Sequence, residues 1–168
     1  MKSFFYIIFF IFISYNSHSS TKPPFDNIIT LSEPKKYEEL IFEDSYGKII
    51  KLENITSKYY IFNFWATWCA PCRKEMPSLD RIQLEENIEV FAINIEAKNL
   101  NKISKFLNDL NIKNLSIYFD KDLNLINQFK LRGIPTTIIL NNKRQEIARI
   151  LGELDFNNPD FIKWLKEQ

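Results

Sequence analysis

Beyond its first twenty residues the chain has no histidine; the single one is His18. That absence removes Cys–His and Ser–His nucleophile activation, and every imidazole-ligated metal site, from the rest of the chain. Glycine is almost as scarce. Gly47, Gly133 and Gly152 lie too far apart to build a phosphate-cradling loop or a dinucleotide fingerprint. Neither sign of charge dominates: 22 basic and 21 acidic residues leave a net charge of +1, and nothing marks a nucleic-acid partner. No apolar run is long enough to cross a bilayer. Phe4–Ile13 covers roughly 15 Å as a helix, against a hydrocarbon core of about 30 Å.

What is present suits one domain. A chain of 168 residues, 45% hydrophobic and 15% aromatic, has material for one core. Residues 1–20 have the pattern of a targeting segment: Lys2, the apolar run, then the small residues Ser17, Ser19 and Ser20. A cleaved signal peptide or an uncleaved anchor both follow from this pattern, and both place the domain outside the cytoplasm. Residues 21–36, with Pro23, Pro24 and Pro34 and no strong period, are expected to be a linker. The folded domain is expected over residues 37–168.

Within it, strand and helix patterns alternate. Leu40–Phe42 and Lys48–Leu52 flank a turn at Ser45-Tyr46-Gly47, as in a hairpin. Tyr59–Phe64, Val90–Ile95, Leu115–Phe119, Thr136–Leu140 and Gln145–Ile150 suit strands. Ala70–Glu86, with Met76, Leu79, Ile82 and Leu84 near one face, suits a helix, as do Asn99–Leu110, Lys121–Lys130 and Asp160–Lys166. The order predicts an α/β fold: a parallel core sheet, an antiparallel edge and helices on both faces.

The only two cysteines, Cys69 and Cys72, stand where a buried strand hands over to a helix. Free N–H groups and the positive end of the helix dipole favour a thiolate at Cys69. A thiol of pKa about 8.5 is only ~3% ionised at pH 7, whereas one of about 6.5 is roughly 75% ionised. The spacing folds Cys72 back onto the first turn, and Pro71 gives up an N–H that would be unpaired anyway. A purely structural disulfide is a weaker reading, since so short a loop gains little chain entropy. Two thiolates could also hold copper(I); zinc would need further ligands. Glu75, one turn beyond Cys72, could stabilise the helix dipole or accept a thiol proton. Asn63 lies on the strand under the motif, where an amide cannot transfer protons. Pro135, in Gly133–Thr137, is by spacing only a strand entry.

Trp65–Pro77, Trp-Ala-Thr-Trp-Cys-Ala-Pro-Cys-Arg-Lys-Glu-Met-Pro, and Gly133–Thr137, Gly-Ile-Pro-Thr-Thr, together resemble the TlpA/ResA-like thiol–disulfide oxidoreductases. These are a membrane-associated or periplasmic branch of the thioredoxin superfamily. The resemblance runs from about Leu40 to Leu165. It implies a thioredoxin-like mixed sheet, with Asn99–Phe119 as an extra helix–strand insertion and Pro77 as a helix-kinking proline. It implies that Cys69 is an exposed attacking cysteine, Cys72 the resolving one, and Glu75 a carboxylate acting beside them. Pro135 would be cis and face the pair, with Ile134 offering backbone hydrogen bonds. Trp68, Ala70, Pro71, Ile134 and Pro135 are the expected substrate-binding residues, and no cofactor or metal is called for. Glu75 is expected to tune thiol ionisation and not the fold, so that Glu75→Gln changes stability by no more than about 1 kcal/mol. The implied partners are client proteins with disulfides or cysteine pairs, such as apo-cytochrome c or copper-site assembly proteins. A membrane electron donor would keep the pair reduced. A net disulfide oxidant and a copper(I) chaperone are the rival readings. Asn141-Asn142-Lys143 departs from the family, which usually has a glycine in the closing hairpin.

Overall fold

In the computed structural model, residues 22–168 are described, and the expectation of a targeting segment falls outside them. The centre is β4, Tyr59–Trp65, buried along its whole length. A strand covered on both faces needs apolar residues at every position, which is why this run does not alternate with polar ones. Its side chains still alternate in direction. Tyr59, Ile61 and Trp65 join one core cluster, while Tyr60, Phe62 and Phe64 join the other. Asn63 belongs by parity to the first face, and that places it in the site.

β5 (Ile88–Asn94) runs parallel to β4, and β6 (Ile117–Phe119) runs parallel to β5. β7 (Thr136–Asn141) and β8 (Gln145–Leu151) form an antiparallel hairpin on the other side of β4. The hairpin β2–β3, Ile41–Asp44 and Ile49–Lys51, adds to the far edge by pairing with β6. With β1 (Ile28–Lys36), the sheet among the described residues has eight strands in the order β1-β8-β7-β4-β5-β6-β2-β3. Helices α1 (Ala70–Ile82), α2 (Leu100–Asp109) and α4 (Pro159–Lys166) cover the first face, and α3 (Asn124–Phe129) the second. This is a thioredoxin-like α/β fold, with α2–β6 as the inserted helix–strand pair. On the second face Phe42, Phe62, Phe91 and Phe129 pack ring to ring, with centroids 4.8–5.8 Å apart. Among the described residues no helix is long and apolar enough to cross a membrane.

The fold departs from the sequence reading at its first strand, at the end of its first helix and at its closing turn. The segment expected as a linker contains β1, Ile28–Lys36, paired antiparallel with β8. Its polar, proline-bearing sequence fits an edge strand: the register shifts between Thr30 and Lys35, so Pro34 sits in an irregularity where no ladder N–H is missed. The first helix ends at Ile82, and Leu84, expected on its apolar face, is 67% exposed in the turn that follows. The closing turn needs a left-handed residue and takes it at Arg144, φ 60°. The Asn141 side chain accepts from the Lys143 and Gln145 N–H groups there, which replaces the backbone freedom of a glycine.

Asp80 ties the insertion to the domain, although nothing in the sequence points to it. This buried carboxylate accepts from the backbone N–H groups of Lys113, Asn114 and Leu115 at 3.0, 2.6 and 2.9 Å. Asp80→Ala should therefore cost about 3 kcal/mol in chemical denaturation, by leaving these donors without an acceptor. Asp80→Asn, which keeps one acceptor oxygen, should recover at least half of that loss. Equal stability of the alanine variant and the parent would show that the carboxylate is not the anchor.

Candidate active site

The site is built at the corner where β4 hands over to α1. Cys69 N–H donates to the Ala66 carbonyl, which closes a tight turn, and Ile95 N–H donates to the Trp65 carbonyl. Glu96 fixes the middle of that turn: Thr67 donates to it from both its N–H (2.6 Å) and its hydroxyl (3.0 Å). Lys102 and Asn94 also donate to Glu96. Burial alone would raise the Glu96 pKa, but the Lys102 ammonium and the Thr67 and Asn94 donors outweigh it and hold the carboxyl down at about 2. Glu96 is a positioning residue that the sequence did not mark, because nothing in its spacing connects it to a motif twenty-odd residues earlier.

Cys69 and Cys72 are joined by a disulfide, with Cα atoms 5.3 Å apart. Cys69 is the N-cap of α1: its backbone is extended, and its Sγ accepts from the Cys72 N–H at 3.2 Å. That donor, together with the helix dipole, would stabilise negative charge on Cys69 Sγ once the bond opens. The expectation of an exposed Cys69 needs correcting, because it is only 5% exposed, with Cys72 at 0%. Its chain neighbours Trp68, 67% exposed, and Ala70 are open to solvent, and Pro71 is half-buried in the first turn. Trp65 instead lies in the core, stacked on Phe106 at 4.9 Å.

Glu75 is buried at 2% exposure, one turn beyond Cys72. The expectation that it stands apart from the fold fails here. Its Oε1 accepts from Asn63 Nδ2 at 2.8 Å, and its Oε2 from the Leu154 N–H at 3.2 Å, so it joins α1 to β4 and to the chain after β8. Asn63 Nδ2 also donates to the Thr137 hydroxyl at 2.9 Å. Asn63 and Thr137 are directly opposed in the β4–β7 register, and both are buried. Burial pushes the Glu75 carboxyl up to about 8, against the opposing pull of the Asn63 and Leu154 donors. At that value the group is about nine-tenths protonated at pH 7. In the sequence Asn63 lies on the strand under the cysteine motif and Thr137 ends the Gly133–Thr137 motif, but only the β4–β7 register brings the two together.

The Ile134–Pro135 peptide bond is cis. The Pro135 carbonyl accepts from the Gly152 N–H at 3.0 Å, which fixes the loop against the end of β8. Among the described residues the backbone N–H and carbonyl of half-buried Ile134 have no hydrogen-bond partner. Phe64 at the end of β4 pairs with Thr136 at the start of β7, so the loop before β7 and the turn that carries the disulfide lie at the same end of the sheet.

Comparison with known proteins agrees with this geometry. The chain is 32% identical over 113 residues to the thiol-disulfide oxidoreductase ResA of Halalkalibacterium halodurans; the match covers 66% of this chain and 62% of that relative. The solved structure of a DsbF homologue from Corynebacterium diphtheriae has a TM-score of 0.70 at 26% identity, covering 88% of this chain and 97% of that one. StoA from Bacillus subtilis shares the fold, with a TM-score of 0.62 at 20% identity over 79% of this chain and 99% of that one. The AhpC/TSA family model matches residues 34–149, a span that holds the cysteine pair, Glu75 and the cis-proline loop. The chain is therefore a member of the AhpC/TSA family, built on the thioredoxin fold.

Proposed function

We propose that the chain is a thiol–disulfide oxidoreductase that reduces disulfides of client proteins outside the cytoplasm. The observation that carries the reading is the Cys69–Cys72 disulfide, with Cys69 capping α1 one turn from the buried Glu75 carboxyl. The resemblance to ResA-type proteins supports client proteins with paired cysteines, such as apo-cytochrome c or copper-site assembly proteins. It also supports a membrane thiol donor. The oxidising compartment would otherwise leave the pair as the disulfide.

The cycle balances as follows. A donor thiolate attacks Cys69 Sγ, and the S–S bond breaks toward Cys72. The charge would then sit on a sulfur that has no access to solvent, and protonated Glu75 supplies the proton. A second donor thiol resolves the mixed disulfide and leaves Cys69 as a thiolate, favoured by the Cys72 N–H and the helix dipole. Cys69 then attacks the client disulfide. Cys72 returns its proton to the Glu75 carboxylate, attacks Cys69 Sγ and releases the client as a dithiol. Two electrons pass from donor to client; the proton is held on Cys72 between the halves and returns to Glu75 when the disulfide re-forms.

Two outcomes follow. Cys72→Ser should accumulate mixed disulfides through Cys69, seen as thiol-sensitive adducts by mass spectrometry. Trapping by Cys69→Ser alone would reverse the assigned roles. The second outcome concerns pH. The folded value of Glu75 lies above its ordinary 4.5, so the stability linked to it is whole below about 4.5 and is lost as pH rises to about 8. The oxidised protein should lose up to about 1.4 kcal/mol per pH unit across that window in denaturant titrations. Glu75→Gln, an uncharged isostere of the acid form, should flatten that decline. A parent whose stability does not change over the window would contradict the assignment.

A further inference from the structure

An open groove of about 600 Å3 adjoins the cis-proline loop, and the redox cycle makes no use of it. This size is in the range of roughly 300–1,000 Å3 typical of ligand clefts. Phe129, Ile134, Pro135 and Leu151 give it an apolar floor. Four basic side chains, Lys35, Lys130, Arg132 and Arg149, line it, and no acidic residue does. Arg149 is neutralised by the buried Glu146 at 2.9 Å. Lys35, Lys130 and Arg132 are exposed and belong to no ion pair among the described residues.

Composition does not account for this cluster, because the chain as a whole carries a net charge of only +1. Helix-dipole stabilisation accounts for Lys130, at the C-terminus of α3, and Lys35 on β1 lies over the Tyr37 ring at 4.6 Å. Neither contact neutralises a charge, and neither accounts for Arg132 in the loop. Three unneutralised cations from three separate elements thus converge beside Ile134, whose backbone N–H and carbonyl are free. A polypeptide crossing Ile134 toward Cys69 would lay its flanking residues along this groove.

We propose that the groove receives an acidic segment flanking the client disulfide, so that charge next to the cysteines selects the client. The inference rests on the redox reading above. Cations rimming an apolar floor raise the encounter rate of an oppositely charged partner and disfavour a like-charged one. The effect is screened over a Debye length of about 10 Å at 0.1 M salt.

The test uses the purified chain and two synthetic peptides that share one Cys-x-x-Cys disulfide, one with glutamate-rich and one with lysine-rich flanks. Their reduction is followed beside that of neutral hydroxyethyl disulfide. At low salt, kcat/KM should favour the acidic peptide by about tenfold, and the preference should collapse in about 0.5 M salt. Reversing the rim with Lys130→Glu and Arg132→Glu should abolish or invert the preference while leaving the neutral disulfide within twofold of the parent. Equal rates for the two peptides, or a preference that survives charge reversal, would overturn the proposal. So would binding to anionic lipid vesicles without any peptide preference. Cysteine-free versions of both peptides are titrated in parallel. A chain that exchanged no thiols would thereby sink the redox reading, while the groove's charge preference would still be decided by the two affinities.

Discussion

A carboxyl held away from water beside the redox pair is the constraint on which the site depends. An isolated buried carboxylate is costly, so the site either neutralises Glu75 or surrounds it with donors. It does both in part. Two donors, from β4 and from the chain after β8, hold the group in place, yet burial still wins and keeps it protonated near neutrality. The neighbouring carboxylate, Glu96, shows the opposite balance. There a lysine and three further donors overcome desolvation, and the group serves as a fixed anion that braces the turn before Cys69. Two acids close to one motif thus take different roles through their environments alone.

The sheet makes this arrangement possible. β4 is buried on both faces, and only one of its seven positions, Asn63, is an amide among aromatic and aliphatic residues. Its parity turns it toward α1, and its register sets it opposite Thr137. A shift of one residue in either strand would break the contact, because neighbouring positions face opposite sides. The hairpin that carries Thr137 also carries the cis-proline loop just before it, so one element supplies both the floor of the carboxyl site and the approach to the disulfide.

Much of this was legible in the chain itself. The buried run of β4, the cysteine pair at the start of α1 and the strand after Pro135 are local patterns with strong signals. The fold class followed from their order. What could not be read depends on distant contacts. β1 is polar and interrupted by proline, so only its pairing with β8 identifies it as a strand. Glu75 has the same spacing whether it faces water or the core, and its burial is decided by the segment around Leu154. Asp80 and Glu96 hold backbone N–H groups roughly thirty residues away in sequence, a relation no local window contains. The low glycine content also hid the turns. Among the described residues six non-glycine positions adopt positive φ, including Asn87, Asn111 and Arg144, where glycine would ordinarily mark the bend.

The most direct measurement is the titration of the Glu75 side-chain carboxyl itself, by carbon-detected NMR of the oxidised protein, with Glu75→Gln assigning the resonance. The account predicts a midpoint near 8, set by burial beside the disulfide. A midpoint near the ordinary value of 4.5 would contradict it, because Glu75 would then hold no proton to give when the disulfide opens.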